Sequence, residues 1–126
     1  MAKDFEAVFE RLRDIYRPVE PMGIVTHDEA GKYYLTTHGV RARDGYRLSF
    51  GGVEINKSYV SAHLMPVYVH PDLLDAVSPA LRKRMQGKSC FNFREVDEVL
   101  FAELAQLINA SAKRFEADGY LRLTKT

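Results

Sequence analysis

Residues 50–93 read FGGVEINKSYVSAHLMPVYVHPDLLDAVSPALRKRMQGKSCFNF, and the way strand-like and helix-like runs succeed one another in this stretch decides the fold class. It holds two of the four histidines, the only cysteine and three of the five prolines. Residues 53–55 and 59–65 flank Asn56-Lys57-Ser58, the pattern of a hairpin. In the second arm, the two-residue period of a strand sends Val60, Ala62 and Leu64 to one face and Tyr59, Ser61 and His63 to the other. Pro66 stops regular pairing because it brings no N–H to a ladder, and extended backbone remains open to residues 67–69. Pro71 opens a short helix through Val77. Ser78-Pro79 opens a second, with serine at the N-cap and proline in the first helical position, predicted to run to about Gln86 and stop at Gly87. Residues 89–93 read as a strand, with Phe91 and Phe93 on one face and Cys90 and Asn92 on the other.

Working towards the N-terminus, Gly51-Gly52 interrupts the alternation as a bulge or a kink. Residues 40–43 and 46–50 flank Asp44-Gly45, the strongest short hairpin signal in the chain, and residues 22–27 and 32–38 flank a four-residue link ending in Gly31. Phe5, Val8, Phe9, Leu12, Ile15 and Tyr16 recur every three or four residues, the stripe of an amphipathic helix capped by Asp4 and ended by Pro18. Towards the C-terminus, Asp97 caps a long helix with Phe101, Leu104, Ala105, Ile108, Ala112 and Phe115 on its buried side. Gly119 ends it, and residues 120–124 are a final short strand or a loosely docked tail. Strands in one block with helices at the ends predict a single α+β domain. Its antiparallel sheet has about five to six strands, the N- and C-terminal helices pack on one face, and two short helices are inserted before the last core strand. The other sheet face is left wet, and a binding site belongs there or at its rim.

The chain has 126 residues, 46% of them hydrophobic and 28% charged, ordinary values for one globular domain able to bury a core. A formal charge of +1 supplies no basic surplus for nucleic acid or an anionic membrane. No apolar run approaches the roughly 20 residues that a bilayer demands, and no signal peptide is evident. A lone cysteine fits a reducing compartment, so a cytoplasmic protein is expected.

The candidate chemistry is sparse. Gly87-Lys88-Ser89 resembles the end of a phosphate-binding loop, but Arg82 stands where that loop needs glycine, and the order here is helix then strand. His63, His70 and Cys90 lack the short paired spacings of metal sites, so packing or hydrogen bonding is the expected role and no cofactor is implied. A catalytic thiolate at Cys90 is disfavoured, because the residue follows a helix C-terminus, whose dipole opposes negative charge. Arg82, Lys83, Arg84 and Lys88 form the only local basic cluster, read as a solvated helix face. Five tyrosines (Tyr33, Tyr34, Tyr46, Tyr59 and Tyr68) suit half-buried strand packing first and ligand lining second. If there is a site, it is the polar strand face of Tyr59, Ser61 and His63 with Cys90 and Asn92 nearby.

Residues 59–93, notably HLMPVY and SPALRKRMQGKSCFNF, with the following VDEVLFAEL, resemble the small bacterial YdhG-like proteins, a family of undetermined function. The likeness extends more loosely back through YYLTT to the first helix. It implies a frataxin-like architecture and, for some members, iron delivery to iron–sulfur cluster or haem assembly. It carries over no catalytic residues. The acids of the first helix here alternate with Arg11, Arg13 and Arg17, whereas hard iron favours clustered carboxylates. The leading expectation is a non-enzymatic cytoplasmic binding domain, a monomer or weak homodimer whose partner is a small molecule or a protein and neither nucleic acid nor a membrane. Frataxin-like iron handling comes second, and a small-molecule enzyme using a pocket around His63 third.

Overall fold

A computed structural model describes residues 4–40 and 43–122 of the chain. Helix α1 (Phe5–Tyr16) starts where the Asp4 carboxylate accepts the Ala7 N–H at 3.1 Å, and its predicted stripe buries Val8, Phe9, Leu12 and Tyr16. The chain then tightens into a 3₁₀ helix (Arg17–Met22) containing Pro18 and Pro21. Met22, expected to open a strand, belongs to this segment, and β1 is Ile24–Glu29.

Strands β1, β2 (Lys32–Val40), β3 (Arg47–Ile55), β4 (Val60–Leu64), β5 (Met85–Gln86) and β6 (Cys90–Phe93) form one antiparallel sheet in the order β1-β2-β3-β4-β6-β5. The two runs expected on either side of Gly51-Gly52 are a single strand. Of the two readings there, the bulge holds: pairing passes from Leu35↔Gly51 to Thr36↔Ser49, leaving Phe50 as the extra residue. The predicted run 40–43 is not a strand of its own, since β2 continues to Val40 and Arg43 lies in the turn; Arg41 and Ala42 fall outside the described residues. Gly45 in that turn has φ +72°, the conformation for which glycine was read there.

One sheet face carries Tyr33, Leu35, Val53, Val60, Ala62, Leu64, Phe91 and Phe93, all buried in a single core with residues of α1 and α4 (Glu98–Ala117). Phe93 meets Phe101 edge-on at 4.9 Å, a contact worth about 0.5–1.5 kcal/mol beyond the area it buries. In α4, capped by Asp97 through the Leu100 N–H, Phe101, Leu104, Ile108, Ala112 and Phe115 are buried as expected. Ala105 is only half-buried, and Leu100, Leu107 and Ser111 share the covered side.

The connection between β4 and β6 departs most from expectation. Residues 67–69 are not extended: α2 (Met65–Val69) forms because Pro66 sits in a first helical turn, where its missing N–H costs nothing. A 3₁₀ helix (Pro71–Ala76) follows, then α3 (Pro79–Arg82), which stops short of Gln86 because Met85 and Gln86 pair with Phe91 and Cys90 as β5. Ser78 caps α3, and both its N–H and its hydroxyl donate to the Glu103 carboxylate at 2.6 Å, fastening α3 to α4. After α4, Gly119 has φ +88° and residues 120–122 dock without forming a strand, with the Tyr120 carbonyl accepting from the His38 N–H and Leu121 buried; residues 123 and 124 of the expected strand or tail lie outside the described residues. No helix among the described residues is long and apolar enough to cross a membrane.

Candidate functional site

The terminal helices cover one face of the sheet, so alternation leaves the opposite side chains of the same strands on the other face. Register aligns six residues across all six strands there: His27, Tyr34, Gly52, His63, Cys90 and Gln86. Gly52 is the gap in this row. A Cβ at Gly52 would overlap the Tyr33 carbonyl oxygen and the Tyr34 ring, and without one Tyr34 reaches across to stack on His63 with centroids 6.0 Å apart and planes at 25°. The Tyr34 hydroxyl donates to Glu54 Oε1 at 2.6 Å, which fixes the ring.

Beyond the stack, Cys90 Sγ lies 2.8 Å from His63 Nδ1 across the β4–β6 ladder. In the next row a chain of hydrogen bonds crosses the sheet. Asn56 Nδ2 donates to the Ser61 hydroxyl at 3.0 Å, Ser61 to Asn92 Oδ1 at 2.7 Å, and Asn92 Nδ2 to Gln86 Oε1 at 2.7 Å. Ser61 is buried beneath its two amide neighbours, so this satisfied network, and not solvent, is what holds its hydroxyl in place. From the covered side, the Tyr16 hydroxyl donates to the His63 carbonyl at 2.6 Å, so α1 anchors the strand that carries the imidazole.

The five residues singled out from sequence, Tyr59, Ser61, His63, Cys90 and Asn92, line one recess of about 300 Å³ together with Asn56 and Gln86. Period-two alternation pairs Ser61 with His63 and Cys90 with Asn92, the β4–β6 register brings the two pairs together, and Tyr59, expected within the strand, lies just before β4. Asn56, Gln86, Tyr34 and Glu54 were not picked out as site residues. For Tyr34 the available signal was the glycine at position 52, since a strand glycine marks a close approach by a neighbour. His70, weighed with His63 and Cys90 as a possible convergent group, lies apart from them and binds Asp118 at 2.6 Å.

The imidazole and the thiol of the recess are both pushed towards neutrality. Burial lowers the His63 imidazole from its ordinary 6.5, against a smaller upward pull from Glu54. Burial raises the Cys90 thiol from 9.0, against a smaller downward effect of the Ser89 hydrogen bond. At neutral pH the pair is therefore a thiol beside an uncharged imidazole, not a thiolate–imidazolium couple. The recess can orient a ligand by hydrogen bonds, whereas nucleophilic attack from sulfur requires the charge that burial opposes. No carboxylate lines it, and no group of three or more His, Cys, Asp or Glu suited to a metal ion occurs among the described residues.

Compared with known proteins, the chain matches no family model, no curated protein and no solved structure.

Proposed function

We propose that the protein is a non-enzymatic ligand-binding domain of the YdhG-like kind, and that its site is the polar recess on the uncovered face of the sheet. The observation that carries this reading is the convergence of Tyr59, Ser61, His63, Cys90 and Asn92 on one concavity. Hydroxyl, amide, imidazole and thiol groups there are uncharged and supported from behind by a packed core. Such a surface suits a small molecule held by several directional hydrogen bonds, at little cost in reorganisation because the side chains are already tied to one another. The neutral Cys90–His63 pair favours binding over thiolate chemistry. Iron handling draws less support, since ferrous iron prefers clustered carboxylate oxygens, no carboxylate lines the recess, and Glu54 beside it already accepts the Tyr34 hydroxyl.

The test is a screen of small metabolites followed by amide chemical shifts. A ligand of this site shifts Ser61, His63 and Cys90 together and binds the His63→Ala protein about tenfold more weakly, the equivalent of one lost hydrogen bond from the half-buried imidazole. Ligands that all map elsewhere, or that bind His63→Ala unchanged, contradict the proposal.

A further inference from the structure

Next to the recess, and sharing Tyr59, Gln86 and Asn92 with it, is a second concavity of about 390 Å³ whose wall is cationic. Lys83 and Arg84 reach it from the junction of α3 and β5, and Arg94 from the residue after β6. No carboxylate lines either concavity. Arg11, Arg17 and Arg114 each pair with an acid, but among the described residues Lys83, Arg84 and Arg94 form no ion pair. The whole chain carries a formal charge of only +1, so three unpaired cations around one hollow are a local concentration and not a reflection of overall composition.

The backbone holds them there. Arg84 contributes its carbonyl to the Asn92 N–H at 2.8 Å, and Met85 and Gln86 pair with Phe91 and Cys90. The backbone segments that carry the cations thus flank one short ladder, which keeps their attachment points together. Like charges held in a hollow repel, and an anion placed among them removes that repulsion while gaining charge-assisted hydrogen bonds. The volume falls within the roughly 300–1,000 Å³ typical of small-molecule sites.

We infer that the ligand of this domain carries a phosphate or carboxylate group, which Lys83, Arg84 and Arg94 bind while the uncharged remainder of the molecule extends over Asn92 towards His63 and Cys90. This inference rests on the proposed recess as the binding site and names the chemical class that fits it.

The experiment is a titration of the isotope-labelled protein with inorganic pyrophosphate and, separately, with citrate, against potassium chloride at matched ionic strength. The expected result is saturable shifts at Lys83, Arg84, Asn92 and Arg94 that chloride does not reproduce, weakened at least tenfold in the Arg84→Gln/Arg94→Gln protein. Tighter binding of pyrophosphate assigns a phosphate ligand, and tighter binding of citrate a carboxylate. Shifts that match those of chloride, or persist in the double variant, overturn the inference. So does binding seen only with an oligonucleotide and not with either small anion, which would make the cations a nucleic-acid surface. If the anions fail while an uncharged metabolite still shifts Ser61, His63 and Cys90, the anion assignment alone is lost and the recess stands.

Discussion

A side chain at position 52 has nowhere to go, because the Tyr33 carbonyl and the Tyr34 ring already occupy the space a Cβ would take. The cost of Gly52→Ala is one of space, not of backbone conformation, and forcing a methyl into a filled site typically costs about 1–3 kcal/mol. The variant should unfold at lower urea with an unchanged slope. Its His63 ring protons should also lose the ring-current shift that the stacked Tyr34 imposes, which a general loss of stability would leave alone. A stability within about 0.5 kcal/mol of wild type would show that Tyr34 does not lean across the glycine. At this scale the sequence was a partial guide. The parity of Tyr59, Ser61 and His63 is a local property and could be read directly. That His63 faces Cys90 is a matter of register between strands separated by the whole inserted segment, and no local pattern encodes it.

Among the elements, α3 is a single short turn that could not persist alone, and its attachment to α4 through Ser78 and Glu103 substitutes for length. Glu103 accepts two hydrogen bonds in a half-buried position, so Glu103→Ala should destabilise the protein by roughly 1–3 kcal/mol. Glu103→Gln, which keeps one acceptor oxygen, should cost less. Denaturant unfolding of the two variants beside an exposed control, Glu95→Ala, checks the order; equal stability of all three would mean that the contact contributes nothing. The long helices and β2, β3 and β4 were legible because their apolar periods extend over many residues. The insertion was not. Val67 and Val69 favour strands, yet Pro66 starts a helical turn. Met85 and Gln86 continue a helical pattern, yet pairing with β6 takes them. At residues 67–69 the local signal of Pro66 outweighed that of the valines, and at Met85 and Gln86 strand pairing overrode a weak local preference. That outcome bears on the site, since Gln86 joins the recess only as a strand residue.

For the molecule as a whole, the two faces of the sheet divide the labour: one is sealed by α1 and α4, and the other carries a recess whose polar groups are uncharged. This division has a pH signature. The folded His63 holds its proton less tightly than the unfolded chain does. Its contribution to stability is therefore complete above about 6.5 and is lost as pH falls through the lower folded value. The Cys90 thiol, raised from 9.0, contributes fully below that value, and its contribution is lost as pH rises through the higher folded one. Between these limits the recess stays neutral, which is the state a hydrogen-bonding site requires. The most direct measurement is the NMR titration of the His63 ring in the intact protein from pH 8 to pH 4, with Cys90→Ala beside it. The account predicts a midpoint below 6.5 in the wild type. A midpoint at or above 6.5 that falls when the thiol is removed would reveal an imidazolium held by a thiolate, and the uncharged binding recess would give way to a reactive cysteine.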